Sequence, residues 1–143
     1  DRRGRSRGAR RDRRAACPGT SCGAKDTVWL SINSTNTAHQ DYMSPAKLKT
    51  YLAEKKASPD AYMTDAEGTV GLEYGAKTTP HMYVINPAGT LVYAGAIDDK
   101  RSTKLEDVKT AKNYLVAALD ESKAGKPVST ATTQPYGCSV KYK

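Results

Sequence analysis

Phenylalanine is absent from this 143-residue chain, tryptophan occurs once, and hydrophobic residues make up 38%, which is polar for a globular domain. The mean hydropathy of -0.68 agrees. The length still suits one domain with its own core, and is too short for two. No apolar run approaches the roughly 18 residues that a membrane-spanning helix needs, and residues 1–24 lack the apolar stretch of a secretory signal. No membrane partner is expected. Histidine occurs twice and cysteine three times, at Cys17, Cys22 and Cys138. Cys17 and Cys22 are five apart, a spacing that fits neither C-x-x-C nor a zinc site, which would need two further ligands. The pair can be reduced and incidental, close a small disulfide loop, or take part in redox chemistry. His39 and His81 have no thiols or carboxylates patterned around them, so no metal site is expected.

Acidic residues are scarce at the amino end. Residues 1–14 hold eight arginines and two aspartates, or +6 of the formal +8, leaving +2 for the other 129 residues. Such a block could bind a polyanion electrostatically. It lacks interleaved aromatics for base stacking, and a like-charge run is more often a disordered tail, so nucleic acid is not the expected partner. It also lacks the amphipathic apolar face of a transit peptide.

Beyond the arm, local signals place the elements. Val28, Trp29, Leu30 and Ile32 form an apolar run that reads as a buried strand ending in the polar cluster Asn33–Thr37. Ser44 followed by Pro45 is a helix start, with Leu48, Tyr51 and Leu52 on one face, and the helix should end near Ala57, ahead of Pro59. Ala61–Asp65 reads as a short strand and Val70–Tyr74 as a brief helix. Pro80 stands at the mouth of the apolar strand His81–Ile85, where a proline that cannot donate to a ladder is tolerated. A Thr-Pro bond there can be cis at a cost of only about 0.5–1 kcal/mol. Asn86-Pro87-Ala88-Gly89 turns the chain into a second strand, Thr90–Gly95. Asp98, Asp99 and Lys100 are expected to face solvent, though a charge there could tune a nearby thiol. Leu105, Val108, Ala111, Leu115, Ala118, Leu119 and Ser122 recur at helical spacing and predict one continuous helix, stopped by Gly125-Lys126-Pro127. Residues 128–143 read as a surface tail that docks or dangles.

Four separated motifs, in order, carry a resemblance. Val28-Trp29-Leu30-Ser31-Ile32-Asn33-Ser34, Asp65-Ala66-Glu67-Gly68-Thr69-Val70-Gly71, Tyr74-Gly75-Ala76-Lys77-Thr78-Thr79-Pro80-His81-Met82-Tyr83 and Pro135-Tyr136-Gly137-Cys138-Ser139-Val140-Lys141-Tyr142 resemble bacterial redoxin-domain proteins. These belong to the group of alkyl hydroperoxide reductases and thiol-specific antioxidants. The match runs from about residue 25 to the C-terminus. It implies an α/β, thioredoxin-like domain over 25–127, incomplete at its N-terminus, with a C-terminal tail, 128–143, that bears Cys138.

In that fold a central first strand leads to a nucleophilic cysteine at a helix N-terminus, where the dipole favours a thiolate. Here only Ala15-Ala16-Cys17-Pro18-Gly19 and a few polar residues precede Val28, so the central first strand and first helix are not evident. Cys17-Pro18 echoes the Cys-Pro of redoxin sites, but Pro18-Gly19 would break a helix at once, and ten residues before Val28 are too few. Residues 1–24 are therefore expected to be a basic arm, disordered or foreign to the family, as a reading-frame change upstream of about Ala24 would produce; the alternative is a natural variant whose sheet gap is filled by another chain.

The resemblance implies a thiol-disulfide oxidoreductase or thiol peroxidase acting on a peroxide or protein disulfide, recharged by a thiol reductant, without an organic or metal cofactor. Cys138 would be the resolving thiol and Cys17 an outside candidate for the nucleophile, while Thr79, Pro80 and His81 would shape the substrate groove. The competing expectations are an idle exposed Cys138 in a silent thioredoxin-fold binding module, and a polyanion binder acting through the arm. The compartment would be bacterial periplasm or cytoplasm.

Overall fold

Residues 26–57, 59–102 and 104–143 are described by a computed structural model. Ten elements follow in order: β1 (Leu30–Asn33), α1 (Pro45–Glu54), β2 (Ala61–Thr64), α2 (Thr69–Glu73), β3 (Thr78–Thr79), β4 (Met82–Ile85), β5 (Leu91–Gly95), α3 (Leu105–Thr110), α4 (Tyr114–Lys123) and β6 (Cys138–Ser139). The strands pair as β1 with β2, β3 with β6 and β4 with β5. The chain divides into two compact units. One takes the residues up to Ser31 together with Met43–Tyr62, the other Ile32–Tyr42 with Met63–Lys143. Among the described residues no helix is long and apolar enough to cross a membrane. Cys17, Cys22 and the Arg-rich arm lie outside the described residues.

In the first unit the Ser44–Pro45 start behaves as the sequence implies. The Ser44 side chain accepts the Lys47 N–H at 3.5 Å, Pro45 opens α1 without losing a hydrogen bond, and Leu48 is its buried residue. The helix stops at Glu54, three residues short of the expected end. Lys56 then turns into the left-handed region at φ 54°. Tyr51, expected on the apolar face, is exposed and lies 5.6 Å under the Lys55 ammonium.

The Trp29 segment departs from expectation. Val28 is 71% exposed, and Leu30 and Ile32 are exposed as well. Among the described residues β1 pairs with β2 alone, without the second neighbour and covering layers that bury a central strand, so its apolar sequence is not matched by burial.

The core of the second unit is Val84, Tyr93, Ala96, Leu115 and Ala118. Val84 and Tyr93 are register partners across the antiparallel β4–β5 hairpin, and α4 packs on both strands. The hairpin turn is set by Asn86, whose side chain accepts the Thr90 N–H at 2.9 Å while its carbonyl accepts the Gly89 N–H at 2.9 Å. Gly89 supplies the positive φ of 83°.

The continuous helix expected from Leu105 to Ser122 is instead two helices. Ala111 leaves α3 in an extended conformation, and Asn113 starts α4 anew by accepting the Val116 N–H at 2.9 Å. The break is held from outside: the Asp99 carboxylate accepts the Lys112 N–H at 2.8 Å, and Asp98 bridges to Asn113. Leu105 and Val108, at the right spacing for a core face, are exposed on the short α3, Leu105 at 85%.

Residues 128–143 dock along much of the second unit. The Ala94 N–H donates to the Ala131 carbonyl at 3.0 Å and the Thr133 N–H to the Ala94 carbonyl at 3.2 Å, forming a parallel bridge at Thr132. Farther on, β6 pairs antiparallel with β3. The Asn36 N–H then donates to the Lys141 carbonyl at 2.8 Å.

Candidate functional site

Chemistry-bearing residues gather around Pro80. The Thr79–Pro80 peptide bond is cis. It follows β3, whose register puts Thr78 opposite Ser139 and Thr79 opposite Cys138. Cys138 is exposed and carries a free thiol. The tail thus brings Cys138 beside Thr79 and the proline although almost sixty residues separate them in sequence. Thr78 Oγ1 donates to the Pro80 carbonyl at 2.9 Å, closing the loop across the cis bond.

His81 faces the same loop. Its Nδ1 accepts the Lys77 N–H at 3.2 Å, so the neutral ring carries its proton on Nε2. Partial burial and the nearby Lys77 ammonium push its pKa below 6.5 and favour this neutral tautomer. The ring stacks on Tyr83 at 4.6 Å between centroids, and Tyr74 meets Tyr83 edge-on at 5.2 Å. Tyr83 donates to the Tyr74 carbonyl at 3.1 Å, and burial together with Tyr142 raises its pKa to about 12. His81 is held by this aromatic stack and is a hydrogen-bond donor through Nε2.

Asp98 and Asp99 do more than face solvent. Tyr136 donates to Asp98 Oδ1 at 2.5 Å, and burial followed by the Asp98 and Asp99 charges raises the Tyr136 pKa to about 12. Asp98 thereby anchors the tail two residues before Cys138, while Asp99 shapes the α3–α4 break.

On the other side of Cys138 lies a cluster that sequence reasoning missed. Asp65 Oδ2 accepts from the buried Ser34 hydroxyl at 2.7 Å and from the Gly71 N–H at 2.9 Å. Burial raises the Asp65 pKa, but the Gly71, Val70 and Thr69 N–H groups and Ser34 outweigh it and hold it below 3.8. Tyr142 lies beside this cluster and donates to the Ala76 carbonyl at 2.7 Å. The available signal was that Ser34, Asp65, Gly71 and Tyr142 each fall within one of the four motifs that carry the resemblance.

Of the residues expected in the site, the structure brings Thr79, Pro80, His81 and Cys138 into one neighbourhood. Cys17 lies outside the described residues. Among the described residues no group of three or more histidine, cysteine, aspartate or glutamate side chains is placed to hold a metal ion. The exposed Cys138 thiol can undergo thiol-disulfide exchange or oxidation, and its register partner Thr79 leads into the cis-proline loop.

No family profile matches the chain, and no curated protein does. Among solved structures it is similar to a hypothetical protein from Sinorhizobium meliloti, with a TM-score of 0.67 and 28% identity over 80% of this chain and 61% of that one. It is also similar to an uncharacterized conserved protein from Geobacillus kaustophilus, with a TM-score of 0.62 and 28% identity over 81% of this chain and 60% of that one. The chain spans about three fifths of the length of these structural relatives.

Proposed function

We propose that the chain is a thioredoxin-like protein of the redoxin type, a thiol-disulfide oxidoreductase or thiol peroxidase in which Cys138 is the resolving thiol. The observation that carries this reading is the register of β3 and β6, which sets Cys138 opposite Thr79 and next to the cis-Pro80 loop. An exposed thiol at that place is open to a partner sulfur.

The chemistry balances with two thiols. A nucleophilic thiolate attacks one oxygen of a peroxide; the O–O bond breaks, an alkoxide leaves and takes up a proton, and the sulfur becomes a sulfenic acid. The Cys138 thiolate then attacks that sulfur, hydroxide leaves as water, and an S–S bond forms. A dithiol reductant returns both cysteines to thiols and is itself oxidised to a disulfide. Cys17 is the candidate for the first sulfur.

Thiol-dependent peroxide consumption by wild type, Cys17→Ser and Cys138→Ser tests the proposal, with non-reducing mass spectrometry of the peroxide-treated protein. Loss of turnover in Cys138→Ser and a Cys138-containing disulfide in wild type are expected. Inactive wild type with Cys138 still a free thiol after peroxide would replace this reading with a silent thioredoxin-fold module.

A further inference from the structure

The edge of β3 is covered by the chain's own C-terminal segment, and its fit there is specific. Gly137 adopts φ +138°, and a Cβ at that position would collide with the Thr79 carbonyl. From there the chain runs antiparallel to β3, with Cys138 opposite Thr79, Ser139 opposite Thr78, and the Val140 N–H donating to the Lys77 carbonyl at 3.1 Å. It ends on a floor made by two glycines. A Cβ at Gly68 would lie 2.6 Å from the Tyr142 ring, and one at Gly71 would lie 2.7 Å from the Tyr142 hydroxyl and 2.7 Å from Ser34 Oγ. Larger residues at either position would lift the ring. The ring's hydroxyl reaches the Ala76 carbonyl, and Lys143 pairs with Glu67.

These are the components of strand-addition recognition. Main-chain pairing gives adhesion, and shaped positions for particular side chains give selectivity. Here the first position accepts only glycine, and the second, five residues on, accepts a tyrosine.

We propose that the β3 edge is a docking site for an extended peptide of the pattern Gly-x-x-x-x-Tyr, closed in this structure by residues 137–142 of the chain itself. The occupant to which it commits is the same C-terminal segment presented by a second copy. That segment satisfies each contact named above, whereas another peptide would have to reproduce both the glycine and the tyrosine. The tethered segment acts at an effective concentration on the order of millimolar, so it outcompetes a second copy at ordinary protein concentrations. Opening the site requires weakening the segment in cis.

The test uses full-length wild type and full-length Gly137→Ala. The probe is a synthetic peptide of residues 134–143 carrying Cys138→Ser, so that no disulfide can form and the outcome is independent of the thiol reading. Hydrogen exchange at the Val140 amide reports whether the segment is docked, and the Ala117 amide in α4 reports whether the domain is folded. In Gly137→Ala the Val140 amide should lose protection while Ala117 keeps it, and the peptide should bind with a Kd at least tenfold lower than for wild type. A Val140 amide that stays protected in the variant overturns the proposal. An opened segment with no gain in peptide binding also overturns it. Should Ala117 lose protection as well, Tyr142→Ala in the full chain takes the same two measurements with the same criteria.

Discussion

Thr133→Val is the substitution whose cost the structure specifies most closely. Tyr93 is 1% exposed, the most deeply buried large side chain among the described residues. Its hydroxyl donates to the Ala96 carbonyl at 2.6 Å and lies 2.7 Å from Thr133 Oγ1, which accepts the Ala96 N–H at 2.9 Å. Each hydroxyl has a single proton. With the tyrosine proton on the Ala96 carbonyl, Thr133 must donate to the tyrosine oxygen, and the contacts close into a ring in which each of the three residues both gives and receives. Valine has the shape of threonine but leaves the buried Ala96 N–H without an acceptor and Tyr93 without its donor. An unpaired buried donor costs about 1–3 kcal/mol and a lost neutral hydrogen bond about 1 kcal/mol, so Thr133→Val should destabilise by roughly 2–4 kcal/mol. Tyr93→Phe breaks the same ring from its other side and should cost about 1–3 kcal/mol. Once either has opened the ring the other has less to lose, so the double variant should fall short of the sum by about 1 kcal/mol. Urea unfolding of wild type, both single variants and the double variant measures this, with Thr133→Ser as the control that keeps the hydroxyl and stays within about 1 kcal/mol of wild type. A Thr133→Val cost under about 0.5 kcal/mol, or strictly additive single effects, would refute the closed ring.

Other expectations rest on separate observations. Leu115→Ala should cost about 2–5 kcal/mol by urea unfolding, because Leu115 is in the core. Leu105→Gln, at a position the periodicity alone would rank equally, should stay within about 0.5 kcal/mol, and a large loss there would show that α3 is covered. The fold favours the ionised form of Asp65, so its contribution is fully present above the ordinary value of 3.8 and is lost as pH falls through the lowered folded value. Asp65→Asn should therefore be less stable than wild type near neutrality and approach it in acid; a gap unchanged with pH would contradict the Ser34–Gly71 clamp. For His81 the fold favours the neutral ring, so its contribution is complete above 6.5 and shrinks as pH drops toward the lowered value. Its NMR titration midpoint should lie below 6.5, and a midpoint at or above that value would contradict the effect of partial burial and of the Lys77 charge.

The sequence by itself settled what depends on neighbours along the chain. The Ser44–Pro45 helix start, the proline at the mouth of a strand and the Asn86–Gly89 turn each follow from a side chain or ring acting within a few residues. Only the tertiary structure decided what depends on distant partners. The periodic run from Leu105 to Ser122 carries no mark of its break, because the groups that cap the cut, Asp98 and Asp99, lie outside the run. Apolar spacing names a face but not what covers it, which is why Leu115 is buried while Val28 and Leu105 are exposed. The site is the extreme case. Thr79, Pro80 and Cys138 were legible as candidates, but their meeting depends on a tail held by Asp98, Ala96, Ala76 and two glycines, and hydrogen bonds across such separations leave no local period to read.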